Sequence, residues 1–506
     1  MVFNSFEFLV VFLPLAFAAF VLAQRVAGWP AAFTVVGIAS LVFYAQWSLT
    51  LLAILVVSVV SNYVIGKVLI TSSKNGKPAG SLLLVGVIGN LVALGYFKYM
   101  NFFIDIANQT SGIGFSHLDI ILPIGISFYT FIQIGFLVEA HAGQVDELPF
   151  WKYLTFATFF PCVTAGPLVL QREIFDQMKD RTDSAADMRR IAVGLTLFGI
   201  GLFKKVVIAD SIAPFANVAF DGVAAGQGID AVNAWAGSLA YTLQLYFDFS
   251  GYSDMAIGLG AIFGLKLPLN FNSPFKATSI SDFWQRWHMT MTRFFTTYVY
   301  SPVAINGMRK AVANQYSPTA RYMIAGAWPI ILTMLVAGIW HGAGWTFVLF
   351  GLIHGVAIAI NNGWKQFKMP NISPIGGWIL TMSVVVSGLV VFRAPDVATA
   401  MTILSTMWGL SSILPAGPVS EMVSLDLTTA FCFIVALGAI CLIAPNSQEI
   451  LSRNWISTNQ MPEKFSLLTE DFKWRPAIGW SVVTAVMIIF AVGNIGSESS
   501  FLYYQF

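Results

Sequence analysis

Apolar stretches of about twenty residues follow one another along this chain with only short polar breaks, and that pattern limits what it can fold into. About 20 apolar residues wound as a helix cross the ~30 Å hydrocarbon layer of a bilayer. Such runs cover 5–23, 30–47, 49–70, 80–97, 119–138, 150–169, 191–210, 233–263, 322–341, 343–361, 375–393, 428–445 and 476–494. Apolar residues are continuous rather than alternating, which selects helices over a barrel. Only 10% of residues are charged and 57% are hydrophobic, too little polar surface for a soluble enzyme when globular chains carry about 25% charge. The expected fold is therefore an all-α polytopic integral membrane protein with about 11–13 spans in the lipid bilayer. A net charge of +2 gives no reason to expect nucleic acid. Three cysteines, Cys162, Cys432 and Cys441, make no disulfide framework.

Lysine and arginine in short loops orient the first spans. Arg25 follows the first run, and Lys67, Lys74 and Lys77 separate the third from the fourth. With both loops in the cytoplasm, the N-terminus and the turn at Gln46-Trp47-Ser48 lie outside. The first run lacks a basic start and a cleavage site, so it reads as a retained helix. Run 150–169 contains Pro161, Gly166 and Pro167 and is expected to be re-entrant. Loop 446–475 balances Arg453, Lys464, Lys473 and Arg475 against four acids. Placed inside, it sends the C-terminus outside. The stretch 264–320 has no clean span and reads as a partly buried interfacial layer.

A charge at the bilayer centre costs about 2.5–3.5 kcal/mol even on insertion scales, so polar groups inside apolar runs are the first candidates for function. Of five histidines, His117 and His141 fall in expected loops. His341 ends the run Ala325–Trp340 and meets Gly342-Ala343-Gly344 before the next run starts at Trp345. Sixteen helical residues rise only about 24 Å, which puts His341 within the membrane or at its edge, at a helix break. A broken helix at that depth normally lines a cavity, and imidazole is the natural base for a hydroxyl. A histidine hydrogen-bonded for packing fits the same pattern. His354, mid-helix thirteen residues on, reads as packed and satisfied, with a place in the same cavity as the alternative.

Ser279-x-x-Asp282 is a capping-box pattern that starts a helix carrying Trp284, Arg286, Trp287, His288 and Arg293. On that helix Trp284 would lie under His288, and Asp282 would pair with Arg286. Lys276, Arg286 and Arg293 would then attract an anionic substrate, or simply face lipid phosphates. Gln244, Asp248 and Tyr252 form a polar stripe at spacing four in an apolar span, and Asp254 points elsewhere. A buried hydrogen-bond network competes with a substrate site here. Gly260-xxx-Gly264 is a helix-packing pattern. No metal motif, phosphate loop or nucleophile elbow occurs.

Taken in order, Tyr246-Phe-Asp-Phe-Ser-Gly-Tyr-Ser-Asp-Met-Ala-Ile-Gly258, Phe283-Trp-Gln-Arg-Trp-His288 and Ile339-Trp-His-Gly-Ala-Gly-Trp345 resemble the membrane-bound O-acyltransferase family. The branch resembled is that of bacterial alginate O-acetyltransferase membrane subunits. Pro123-Ile-Gly-Ile-Ser-Phe-Tyr-Thr130 and Phe160-Pro-Cys-Val-Thr-Ala-Gly-Pro167 resemble its N-terminal motifs, while Glu139-Ala-His-Ala-Gly143 departs from its Asp-x-Tyr-Arg-Gly pattern. The resemblance implies one membrane domain over 1–506 with a central tunnel, a motif-bearing core at 118–361 and C-terminal spans in 375–506. It implies catalytic roles for His341 and His288, with Asp248, Gln244, Tyr252, Trp284, Arg286, Trp340 and His354 around the cavity. The ending Phe501-Leu-Tyr-Tyr-Gln-Phe506 resembles aromatic endings of envelope-acylating members, which makes Tyr503 an expected acyl carrier, against the alternative of an interface anchor.

The activity implied is transfer of an acetyl group from acetyl-CoA, with no tightly bound cofactor or metal, across the bacterial inner membrane. The acetyl group would pass to a periplasmic serine esterase-like partner and on to a polysaccharide such as alginate. Peptidoglycan, cellulose and teichoic acid remain alternative acceptors. A transporter without chemistry is the rival class, since broken helices suit it equally. An inverted repeat would favour it, and none is visible.

Overall fold

The computed structural model describes residues 1–77, 79–179, 181–410, 421–451, 473–496 and 501–502. Among these the chain is all helix and loop, apart from one isolated bridge between Gly228 and Met422. Among the described residues seven helical stretches are long and apolar enough to cross a bilayer, including Leu49–Lys74, Pro318–His341, Trp345–Gln366 and Pro374–Arg393. The 39-residue stretch Glu7–Ala45 is one of them, and it is a hairpin of two helices. Gly28 adopts φ 78°, a left-handed value that favours glycine, and Pro30 starts the second leg. The legs run antiparallel: Phe20 packs on Phe33 at 6.3 Å and Phe12 on Phe43 at 5.6 Å. This agrees with the separate runs 5–23 and 30–47. Ser48 then caps Leu49–Lys74 by accepting the Thr50 N–H at 3.1 Å.

The centre of the bundle is Ala231–Ile262, a helix capped by Asp230 and buried along nearly its whole length. It lies against Met188–Phe203 at backbone distance. A Cβ on Gly258 would stand 2.6 Å from the Gly194 carbonyl oxygen, and one on Gly201 2.4 Å from that of Gly251. Small residues therefore do set the helix contact, but the expected Gly260-xxx-Gly264 pair does not. Gly260 faces Leu265 and Leu267 of the segment that follows it, and Gly264 makes the turn.

Two other expectations change shape. Run 150–169 folds as two short buried helices, Phe150–Thr158 and Phe160–Val163, with an irregular segment after them. The stretch 264–320 is not one interfacial layer. Residues 265–295 turn back into the core, where the Asn272 N–H bonds the Arg286 carbonyl and the Met289 N–H bonds that of Asn270, both at 2.9 Å. Within 264–320, Ser301–Ala313 and the short helix beginning at Pro318 are the largely exposed parts. The aromatic content of 265–295, which suggests an interface belt, is used instead to fill the core: Phe271 packs on Trp287 at 5.1 Å and Phe275 on Tyr246 at 5.1 Å.

Candidate active site

His341 is the last residue of the helix Trp328–His341, because Gly342 is extended at φ −162°, ψ 161°. The chain doubles back at once into Trp345–Gln366. A Cβ on Gly342 would lie 2.1 Å from the Phe347 ring, so the break needs glycine there. Three of the carbonyls left without helical partners are taken up by two consecutive residues. Lys98 Nζ donates to the Trp340 and His341 oxygens at 2.7 and 2.8 Å, and the Tyr99 hydroxyl donates to the Ile339 oxygen at 2.7 Å.

His288 does not sit mid-helix as expected. Ile280–Trp284 stops after five residues, and His288 takes the left-handed φ 44°, ψ 50° ahead of Met289–Phe295. Trp284 is therefore not stacked beneath it, and its indole N–H donates to His354 Nδ1 at 3.2 Å instead. The ring of His288 is fixed by Asn270, whose Oδ1 lies 3.0 Å from Nδ1 and also accepts the Thr290 hydroxyl at 2.9 Å. The Asn270 amide donates to Ser253 Oγ at 3.1 Å. With Oδ1 as the acceptor, the hydrogen belongs on Nδ1, and Nε2 carries the lone pair.

These two constraints bring the imidazoles together, with ring centres 6.3 Å apart. Trp340 lies 4.9 Å from one ring and 5.9 Å from the other. Phe392 at 5.1 Å walls His341, and Phe249 at 4.7 Å walls His288. Both are buried, His288 fully and His341 to 6% exposure. Two cavities with no lining residue in common flank this pair, one touching Trp340 next to His341 and the other Met289 next to His288. One, of about 130 Å³, is lined by residues 122–128 with Lys98, Thr164 and Trp340. The other, of about 280 Å³, is lined by Leu269, Trp284, Met289, Thr290, Arg293 and their neighbours.

The remaining candidates divide. His354 lies one ring removed, 4.6 Å from Phe350, which itself is 6.0 Å from His341. Its Nε2 has no hydrogen-bond partner among the described residues, so it is packed but not satisfied. Asp248 is bound in an ion pair with Lys205 at 2.7 Å and accepts the Leu502 N–H at 3.2 Å. Tyr252 shares a hydrogen with Thr164 at 2.7 Å and is stacked by Phe501 at 4.4 Å. Gln244 stays apart, its buried Oε1 unpartnered among the described residues. Tyr503 lies outside the described residues.

The basic patch does not form as a free surface. Arg286 pairs with Asp282 at 2.7 Å, Arg293 with Glu173 at 2.9 Å, and Lys276 donates to the Ala444 carbonyl at 3.1 Å. Folding 265–295 inward demanded partners for each cation. Lys98, Tyr99, Asn270 and Lys205 escaped the sequence reading. Lysine at the end of one apolar run and within another was the available signal for Lys98 and Lys205. Asn270 carried none.

An all-helical polytopic bundle with two buried histidines side by side, one of them at a helix break, and cavities against their chain neighbours is the frame of a membrane enzyme rather than of a simple scaffold. Residues 137–401 match the membrane-bound O-acyltransferase family. The chain is 34% identical to a probable alginate O-acetylase of Azotobacter vinelandii over the whole of both proteins. It is 32% identical to a peptidoglycan O-acetyltransferase of Helicobacter pylori over all of this chain and 98% of that one. A teichoic acid D-alanyltransferase of Bacillus subtilis is 29% identical over 52% of this chain and 65% of its own. The chain belongs to the membrane-bound O-acyltransferase family, and it is a multi-pass acyltransferase.

Proposed function

We propose that this acyltransferase takes an acetyl group from cytoplasmic acetyl-CoA and passes it across the inner membrane for O-acetylation of an envelope polysaccharide. The N- and C-termini lie on the periplasmic side in this reading. His341 removes the proton from an attacking hydroxyl, whose oxygen then bonds to the thioester carbonyl carbon. As the carbon–sulfur bond breaks, the leaving thiolate takes that proton back from His341. The products are an acetyl ester and free CoA thiol. His288 presents a lone pair at Nε2, so it orients the hydroxyl by accepting a hydrogen bond and does not polarise the carbonyl. Tyr503 supplies the first acceptor hydroxyl, and its acetyl ester goes on to a periplasmic serine esterase-like partner. The burial of Phe501 and Leu502 against Tyr252 and Asp248, with Phe501 packed on the Phe249 ring that walls His288, supports this choice of acceptor. The advantage is physical: a small neutral acyl group crosses the hydrocarbon while the charged carrier stays outside it.

The observation that carries this reading is the buried histidine pair, one member at a helix break, with a cavity against the chain neighbour of each, Trp340 and Met289. Among acceptors, alginate-like polymer and peptidoglycan are both favoured by relatives so named that align over the full chain. Proteoliposomes given labelled acetyl-CoA test it, because the label should appear on the chain or on added acceptor. Undiminished transfer by His341→Ala would remove that residue from the chemistry.

A further inference from the structure

Ending a helix inside an apolar bundle leaves carbonyls that water cannot reach, and each one unpaired is costly. The helix end at His341 meets this cost through one structural device. Residues Gly95–Tyr99 form a π-helical turn between Gly80–Leu94 and Met100–Ser111. On an ordinary α-helix neighbouring side chains diverge by about 100° and would reach different partners. The wider π turn, ending in Tyr99 at φ −113°, lets Lys98 and Tyr99 converge on three successive carbonyls of Ile339, Trp340 and His341. Such turns recur at functional sites. The third hydrogen of the Lys98 ammonium goes to Ser127 Oγ at 3.2 Å, in the segment that lines the smaller cavity. All three donors are thus spent, and a cation at a helix C-terminus is favoured by the helix dipole as well.

We propose that Lys98, with Tyr99, is a positioning element for acyl transfer. It locks the peptide planes on either side of Trp340 and so sets where the His341 ring stands relative to His288. It moves no proton itself. This rests on His341 being the base. A contrast lies on the same run of helix: Asn90 exchanges two side-chain hydrogen bonds with Asn62, at 2.7 and 3.1 Å, tying helices together away from the histidines.

The test uses the full chain in proteoliposomes with labelled acetyl-CoA, normalised to folded protein by size exclusion. Lys98→Met should lower kcat about 100-fold with donor KM within about twofold, because misplacing a reacting group by about 1 Å costs on that order. Lys98→Arg should recover a substantial part of the loss. Asn90→Leu should lower the melting temperature with kcat per folded molecule unchanged. Tyr99→Phe, which removes a single oxygen, should lower kcat several-fold at unchanged KM and decides the matter if Lys98→Met does not fold. Equal loss of kcat in Lys98→Met and Asn90→Leu, a change in KM alone, or full kcat in Tyr99→Phe would each overturn the proposal. Full activity of His341→Ala would instead overturn the reading beneath it, whereas an inactive His341→Ala beside an active Lys98→Met would sink only the positioning role.

Discussion

Two polar islands lie inside the apolar bundle, and they are built on opposite terms. Around His288 and His341 the groups are hydrogen-bonded and ringed by aromatic side chains, with cavities against their chain neighbours Met289 and Trp340. Around the middle of Ala231–Ile262 the groups are charged and closed. Lys205 bridges Asp210 and Asp248, and Asp254 accepts from Lys204 at 2.7 Å, Ser447 at 2.7 Å and Gln448 at 3.1 Å. Neither of the cavities at the histidines is lined by these lysines or aspartates. Polarity in a low-dielectric interior is thus used twice. A closed cluster of ion pairs fastens helices together, whereas a histidine cluster with room nearby leaves proton-accepting capacity for a reactant.

The contrast can be broken most directly at His341. His341→Ala should lower acetyl transfer by about three orders of magnitude, a general-base contribution of about 4 kcal/mol, while the melting temperature stays within a few degrees. Asp254→Leu should do the reverse. Leaving Lys204 without its buried partner is expected to cost about 3 kcal/mol or more of stability in denaturation, with transfer per folded molecule retained. The double variant Lys204→Met, Asp254→Leu should regain most of that stability. If Asp254→Leu abolished transfer in folded protein, the division between the islands would be wrong.

A smaller effect sharpens the histidine side. Asn270→Leu frees the Nδ1 hydrogen of His288 and should lower kcat about ten- to hundredfold, matching the 1–3 kcal/mol lost when a buried hydrogen-bonding group goes unpaired. Unchanged kcat would show that the ring orientation does not matter. Least of all is an effect at the surface, where charges pair in water. Burial pulls the Asp183 carboxyl up, but hydrogen bonds and charge from Arg181 and Arg190 outweigh it and hold it below its ordinary value. A depressed carboxylate stabilises the fold above its unfolded pKa of about 4 and loses that contribution as pH falls below it. For so exposed a pair the gain is under about 1 kcal/mol. Melting curves of wild type and Asp183→Asn should therefore diverge slightly near neutral pH and converge in acid.

Much of this architecture could be read from residues alone. Hydropathy runs located the helical hairpin around Gly28, the break after His341 and the Asp230–Ile262 region, because burial in lipid forces long apolar stretches whatever the topology. The ordered motifs identified the acyltransferase family and pointed to His288, His341 and Trp340, which do meet. The failures share a cause. Reading 264–320 as a partly buried interfacial layer treated aromatic and basic residues by their average preference, yet their partners came from distant segments: Glu173 for Arg293, Ala444 for Lys276, His354 for Trp284. Helical periodicity also assumed that 280–294 was continuous, whereas the left-handed turn at His288 is held by Asn270, eighteen residues earlier.

Composition and pattern thus determined that the chain is a helical membrane protein, where most helices begin, and that a histidine stands at a gap between two of them. These follow from local rules, since transfer into lipid acts on each segment separately. Which carbonyls Lys98 and Tyr99 would cap, which lysine would face which aspartate, and that His288 would turn toward His341 were decided only by the packed bundle. Those outcomes depend on hydrogen bonds with directions and partners far along the chain, and such directions exist only once the helices have taken their places against one another.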